Sequence, residues 1–166
     1  VSKRYNLCGA RIGCIISHNK DVMTAAMKFA QARLCPPVIG QIAAIGALDT
    51  PDEYFDAVKE EYIKRRDCMI EGLNKIEGVF TPLPQGAFYT IAELPVDDTE
   101  NFARWMLENF RIDNETTMVT PAASFYKTPG KGKNHARIAY VLEVEEIKKA
   151  LHILEEGLKA YPGRTL

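Results

Sequence analysis

Residues 2–13 read SKRYNLCGARIG and run into a short apolar stretch, Ile12–Ile16. A lysine amine can condense with an aldehyde, and an arginine presents a planar set of donors that matches a phosphate group. The glycines near the arginine would let a ligand approach the backbone closely. Lys3 and Arg11 therefore suit a cofactor that carries both an aldehyde and a phosphate. Taken alone, these residue types are more often a solvated lysine and an arginine paired with a carboxylate.

The residues that follow predict a strand and then three helices. Ile12–Ile16 is rich in β-branched residues, which is typical of a buried strand. Asn19 is a favourable helix N-cap, and Pro36-Pro37 ends the helix that it begins. Thr50 is followed by Pro51, and Glu53 lies three residues after Thr50, a pattern that predicts a capping box. The predicted helices are residues 20–34, 38–48 and 51–76, and the second is apolar on nearly every face, so we expect it to be buried.

Short strands and helices alternate through the rest of the chain. The predicted strands lie near residues 79–80 and at 87–92, 117–119 and 136–141. One further helix begins at Asp98-Thr99-Glu100, and an amphipathic helix runs from about Val144 to Tyr161. This alternation predicts an α/β or α+β protein.

The composition excludes several classes of protein. The chain has 46% hydrophobic residues, and its 21 basic and 22 acidic residues leave a net charge of −1, so we expect no nucleic-acid partner. No apolar run reaches the roughly 20 residues that a membrane helix needs, and we expect no membrane partner. The four cysteines form no CxxC pair and the three histidines stand apart, which predicts no metal site and reduced thiols in the cytoplasm.

Four segments of the chain resemble the pyridoxal-phosphate (PLP)-dependent aminotransferases of classes I and II. Ser-Lys at residues 2–3, with Gly-Ala-Arg-Ile-Gly at residues 9–13, is similar to the cofactor-lysine segment of that family. Residues 84–89, PQGAFY, resemble its turn and strand of pattern Pro-x-Gly-(Ala or Gly)-Phe-Tyr. Residues 119–125, VTPAASF, resemble its Val-x-Pro-Gly-x-x-Phe loop, although Ala122 replaces the glycine, and residues 135–140, HARIAY, resemble its Arg-Ile strand. The segments follow one another in the family's order.

The resemblance implies a role for each matching residue. Ser2, Lys3 and Arg11 would contact PLP, with Lys3 holding it as a Schiff base and later carrying a proton, and with Arg11 binding its phosphate. Arg137 would bind the α-carboxylate of the amino acid through a bidentate pair. Considered without the resemblance, Arg137 is more readily explained as the partner of a surface carboxylate such as Glu143 or Glu145.

The resemblance also implies the fold and the reaction. The fold would be the C-terminal portion of a PLP-dependent transferase of fold type I, an α/β protein. Residues 1–48 would end the large cofactor-binding domain, and residues 49–166 would form an α+β small domain. The enzyme would transfer an amino group between an amino acid and a 2-oxo acid, as a homodimer in the cytoplasm.

The sequence indicates less clearly which amino acid is the substrate. The segments at residues 2–5 and 8–11 are most similar to bacterial aspartate aminotransferase-type members. In one aspartate-specific subgroup, an arginine for the second carboxylate lies six residues before the Pro-Pro pair, and that position is Ala30 here. An aspartate-like substrate is therefore an expectation from the lysine segment alone.

Two alternatives share the lysine segment. An aminotransferase-like effector domain of a transcription regulator is one, and a PLP-dependent lyase of the same fold is the other. Because the resemblance starts at the cofactor lysine, it covers less than half of such an enzyme. We expect these 166 residues by themselves to be inactive, since the family supplies the carboxylate that faces the cofactor's ring nitrogen from ahead of the lysine.

Overall fold

A computed structural model describes all 166 residues. Helices and a small antiparallel sheet make up the chain, which confirms the predicted α/β class. The chain divides into two compact units, Val1–Ala57 and Val58–Leu166. The assignment of residues 1–48 to a larger domain and of residues 49–166 to a small domain stays a prediction.

The first unit contains two helices that begin where the sequence indicates. Helix α1 spans Lys20–Arg33, and the side chain of Asn19 accepts hydrogen bonds from the backbone N–H groups of Asp21 and Val22 at 3.0 and 3.1 Å. Helix α2 spans Val38–Gly46 and leads into a 3₁₀ turn at Ala47–Asp49. The N-cap at Asn19 is confirmed.

Two predictions for this unit are wrong. Residues 11–17 form neither helix nor strand, and Ile16 is 89% exposed. The first unit contains no strand that would pair with this stretch, and a strand needs partners for its N–H and C=O groups. Helix α2 is also not buried, since Gly40 is its one buried residue and Ile39 is 82% exposed.

Helix α3 spans Asp52–Leu73 and begins in the first unit and ends in the second. The predicted helix, residues 51–76, is close to these bounds, but the capping box is wrong. The Thr50 hydroxyl donates a hydrogen bond of 2.7 Å to the carbonyl oxygen of Ala47, in the preceding 3₁₀ turn. A hydroxyl bound in this way ends one turn instead of capping the next helix.

The second unit is built on a three-stranded antiparallel sheet. Strands β1, β2 and β3 span Tyr89–Glu93, Thr120–Pro121 and His135–Ala139. Their order is β1-β3-β2, so β3 is the central strand. Of the predicted strands, the one near residues 79–80 is reduced to a single bridge between Phe80 and Glu93, and the extended stretch at 117–119 lies just before β2.

Two helices accompany the sheet. Helix α4 spans Thr99–Asn109, and the Asp98 side chain caps it by accepting a 2.8 Å hydrogen bond from the N–H of Glu100. Helix α5 spans Val144–Ala160, within one residue of its predicted end. None of the helices in the structure has both the length and the apolar content to cross a membrane.

The hydrophobic core of the second unit draws on all of its main elements. Residues with no more than 2% of their surface exposed include Leu73, Ala92, Phe102, Ala136, Tyr140, Ile147 and Leu158. Burial alternates along β1 and β3, so every second side chain of the sheet enters this core. The intervening side chains lie on the other face of the sheet.

The buried residue Tyr161 follows α5 and packs against Phe102 and Trp105, with ring centroids 5.1 and 5.4 Å away. Its hydroxyl donates a 2.9 Å hydrogen bond to the Asp97 carboxylate. Burial, and then the bond to Asp97, raise the pKa of Tyr161 from 10.0 to about 12. The folded state therefore holds this phenol proton more tightly than the unfolded chain does.

We expect Tyr161→Phe to lower the free energy of unfolding by about 1 kcal/mol at pH 8, because the hydrogen bond to Asp97 is lost. The contribution of the wild-type phenol to the free energy of unfolding is fully present below pH 10 and is lost as the pH rises towards about 12. The difference between the two proteins in urea unfolding should therefore shrink over this range. Tyr62→Phe is the matched control. If the difference in the free energy of unfolding between Tyr161→Phe and the wild type stayed constant up to pH 12, the prediction would be contradicted.

Candidate active site

Lys3 lies on a turn at the start of the first unit. The N–H of Tyr5 donates a 3.1 Å hydrogen bond to the carbonyl oxygen of Val1 and closes this turn. Ser2 is half-buried and Lys3 is exposed. The Arg4 guanidinium lies 4.4 Å from the ring centroid of Phe55 on α3, which anchors the turn to the helix.

Arg11 follows the 3₁₀ turn Cys8–Ala10 in an unusual conformation. Its φ of 53° and ψ of 38° place it in the left-handed region, which costs a residue with a side chain about 1 kcal/mol. A Cβ atom on Gly40 of α2 would collide with the carbonyl oxygen of Ala10. This close packing of α2 holds the segment that carries Arg11.

The guanidinium of Arg11 is available to an anion. It is exposed and donates from Nη1 to the carbonyl oxygen of Cys8 at 3.1 Å, and it takes part in none of the ion pairs of the chain. A Cβ on Gly9 or Gly13 would meet nothing within 4 Å, so the backbone beside Arg11 is open. A lysine amine and an arginine with spare donors in one unit fit the aldehyde and the phosphate of PLP.

Arg137 lies at the centre of β3, in the second unit. It pairs with Ile91 of β1 and with Thr120 of β2. Its neighbours Ala136 and Ile138 are buried, so the alternation of the strand turns the arginine towards the face opposite the core.

Two aromatic rings hold the Arg137 guanidinium. Its Cζ atom lies 5.0 Å from the ring centroid of Tyr89, at the start of β1. The same Cζ atom lies 5.1 Å from the ring centroid of Phe125, in the 3₁₀ turn Ala123–Phe125. Contacts over ring faces leave the N–H edges of a guanidinium for a planar anion. Neither ring was assigned this role from the sequence, although both residues belong to the family-like segments.

The pairing with Glu143 or Glu145 that the sequence left open does not occur. Glu145 pairs instead with Lys148, at 2.7 Å, and Arg137 makes no ion pair. Arg137 lines a cavity of about 320 Å³ in which it is the one cation. The wall also includes Thr116, Thr117, Met118, Thr120 and Leu142. This arrangement suits a carboxylate, because a bidentate Arg–carboxylate pair is both strong and directional.

The four residues singled out from the sequence thus form two groups. Ser2, Lys3 and Arg11 belong to the first unit, and Arg137 belongs to the second. The first group has the chemistry for a phosphate-bearing aldehyde and the second has the chemistry for a carboxylate.

Comparison with known proteins identifies several relatives. The family model for aminotransferase class I and II matches residues 1–154. The chain is similar to the aspartate aminotransferase of Rhizobium meliloti, with 28% identity over 171 residues that cover 96% of this chain and 39% of the relative. It is also similar to the (5-formylfuran-3-yl)methyl phosphate transaminase of Methanocaldococcus jannaschii, with 30% identity over 159 residues that cover 95% of this chain and 40% of the relative.

A solved structure shares the fold. LysN, the α-aminoadipate aminotransferase of Thermus thermophilus complexed with N-(5'-phosphopyridoxyl)-L-leucine, superimposes with a TM-score of 0.75 at 24% identity. The match covers 92% of this chain and 39% of that one. The chain thus spans about two fifths of the length of these relatives. The relatives do not favour the regulator or lyase alternatives.

Proposed function

This chain belongs to the class I and II aminotransferases, and from that premise we propose that its protein transfers an amino group between an amino acid and a 2-oxo acid. The observation that carries the proposal is the Arg137 site. Its guanidinium contacts two aromatic rings and pairs with no carboxylate of the chain, so it is set up to bind one from a substrate. Amino acids and 2-oxo acids both carry this carboxylate next to the reacting carbon.

We propose PLP as the cofactor. When bound, it would supply an aldehyde that bonds to an amine and a ring that stores the electrons released at the substrate's α-carbon. Lys3 Nζ is the amine we propose to hold it as a Schiff base and then to move the proton at the α-carbon. Arg11, with Ser2 beside Lys3, would bind the phosphate. The open backbone around Arg11 and a guanidinium that makes no ion pair and has donors to spare support this role.

The remaining assignments are proposals from the family. The similarity to the aspartate aminotransferase of Rhizobium meliloti supports aspartate as the first substrate to test. We propose 2-oxoglutarate as the acceptor to test with it. A homodimer is typical of such enzymes. We propose a location in the cytoplasm, where the four cysteines would stay reduced.

The test of the proposal is Arg137→Lys in the complete enzyme. Lysine keeps the charge but has no planar fork, so we expect a higher KM for the amino acid and a kcat/KM lower by roughly ten- to a hundred-fold. Steady-state kinetics with aspartate and 2-oxoglutarate, with the cofactor absorbance recorded alongside, measure this. Arg104→Lys, an exposed residue of α4, is the matched control. Unchanged kinetics for Arg137→Lys with normal cofactor absorbance would refute the role.

A further inference from the structure

His135 bonds to both ends of the 3₁₀ turn Ala123–Phe125. Its carbonyl oxygen accepts a 2.9 Å hydrogen bond from the N–H of Ala122, the residue before the turn. Its Nδ1 atom lies 2.7 Å from the hydroxyl of Tyr126, the residue after the turn. A single residue of β3 thereby fixes where this turn starts and where it ends.

Further contacts hold the two partners in place. The buried hydroxyl of Thr99 lies 3.0 Å from the carbonyl oxygens of both Lys133 and His135 and shares its proton between them. A Cβ atom on Gly132, whose φ is +73°, would collide with the ring of Tyr126. The Tyr126 ring therefore packs directly on the backbone of the loop that leads into β3, and its hydroxyl is directed by this packing towards His135.

The turn matters because of the residue that it carries. Phe125, its last residue, lies over the Arg137 guanidinium, and Arg137 is two residues beyond His135 on the same face of β3. Phe125 is 51% exposed, so few packing contacts of its own fix it. Its position against the guanidinium depends on the two ends of the turn.

We infer that His135 and Tyr126 are positioning residues that set the affinity of Arg137 for the substrate carboxylate, an inference that rests on the proposed function. Without the bond between them, the end of the turn is held only by the N–H of Tyr126 on the carbonyl oxygen of Ala123 and by the ring packing on Gly132, and Phe125 restrains the guanidinium less firmly. An arginine that is less ordered loses more conformational freedom when it pairs with a carboxylate. Carboxylate binding is shared by the ground state and the transition state, so the effect falls on KM and not on kcat.

The experiment compares Tyr126→Phe, His135→Ala and the double variant in the complete PLP-loaded enzyme. We expect each to raise the KM for the amino acid by about three- to ten-fold, the scale of one hydrogen bond or one cation–π contact, with kcat within about two-fold. The double variant should be no worse than the singles, because both remove one bond. The inhibition constant for propionate, a carboxylate without an amino group, should rise by the same factor. His135→Asn should restore both values, since its amide occupies the position of Nδ1.

Controls separate this inference from the proposed function. His152→Ala, an exposed histidine of α5, should change nothing, and Arg137→Lys is measured in parallel. If Arg137→Lys raises KM while Tyr126→Phe leaves KM and propionate binding unchanged, the inference is overturned and the function stands. If Arg137→Lys also changes nothing, both are overturned. A fall in kcat or in melting temperature with unchanged propionate binding overturns the inference as well. Should His135→Ala not fold, Tyr126→Phe and His135→Asn decide the question.

Discussion

Lys3→Ala is expected to abolish transamination in the complete enzyme. The substitution removes the amine that we propose to bond the cofactor and to move the substrate proton. Loss of a positioned acid–base group alone lowers turnover by about 10²–10⁴-fold, and here the covalent attachment is lost as well. Some cofactor should stay bound through Arg11 and the rest of the site. Single-turnover kinetics and the cofactor's absorbance spectrum measure the two effects separately.

The same assignment can be tested without turnover. Borohydride reduction in the presence of PLP fixes the cofactor on the lysine that holds it. Mass spectrometry of the digested protein should find the adduct on the peptide that contains Lys3. Lys20→Ala, an exposed lysine of α1, is the matched control and should keep wild-type turnover. An adduct on Lys20 or Lys28 would show that the cofactor lysine has been misassigned.

Phe102→Ala is expected to have the largest effect on stability. Phe102 lies on α4 with none of its surface exposed, and its ring packs at 5.1 Å on that of Tyr161. Truncation leaves a cavity between α4 and the C-terminal residues, because a close-packed core relaxes only in part. We expect a loss of about 3–5 kcal/mol in the free energy of unfolding, measured by urea denaturation with circular dichroism.

A second large apolar position on the same helix provides the control. Leu107 is 42% exposed, so Leu107→Ala should cost less than about 1 kcal/mol. Equal losses for the two variants would show that α4 does not pack on the core as described. Tyr161→Phe adds a further comparison, since it removes one hydrogen bond and leaves the ring that Phe102 contacts.

Local signals were sufficient for most helices of this chain. Asn19 and Asp98 begin α1 and α4, as predicted, because a capping side chain and the N–H groups that it binds lie within three residues of each other. The apolar spacing of α5 predicted its extent to within one residue for the same reason. The order of the four family-like segments was also readable from the sequence alone, and the family match to residues 1–154 agrees with it.

Two of the failures involve contacts between residues far apart in the chain. Ile12–Ile16 has the composition of a strand, but a strand forms only where a neighbour offers its hydrogen bonds. The apolar residues of α2 suggested burial, but burial depends on what packs around a helix and not on its own sequence. The third failure is local: Thr50 matches a capping box, but its hydroxyl donates to the carbonyl oxygen of Ala47, three residues earlier.

The sequence by itself singled out the residues that we propose to carry the chemistry: Lys3 and Arg11 for a phosphate-bearing aldehyde and, through the family resemblance, Arg137 for a carboxylate. Only the tertiary structure decided what surrounds Arg137. Tyr89 lies 48 residues before Arg137 in the sequence, and Phe125 lies 12 residues before it. The pairing of β1 with β3 brings the Tyr89 ring to the guanidinium, and the turn held by His135 brings the Phe125 ring. Which strands pair and where this turn closes depend on hydrogen bonds between segments far apart in the chain, so the patterns of neighbouring residues did not reveal either one.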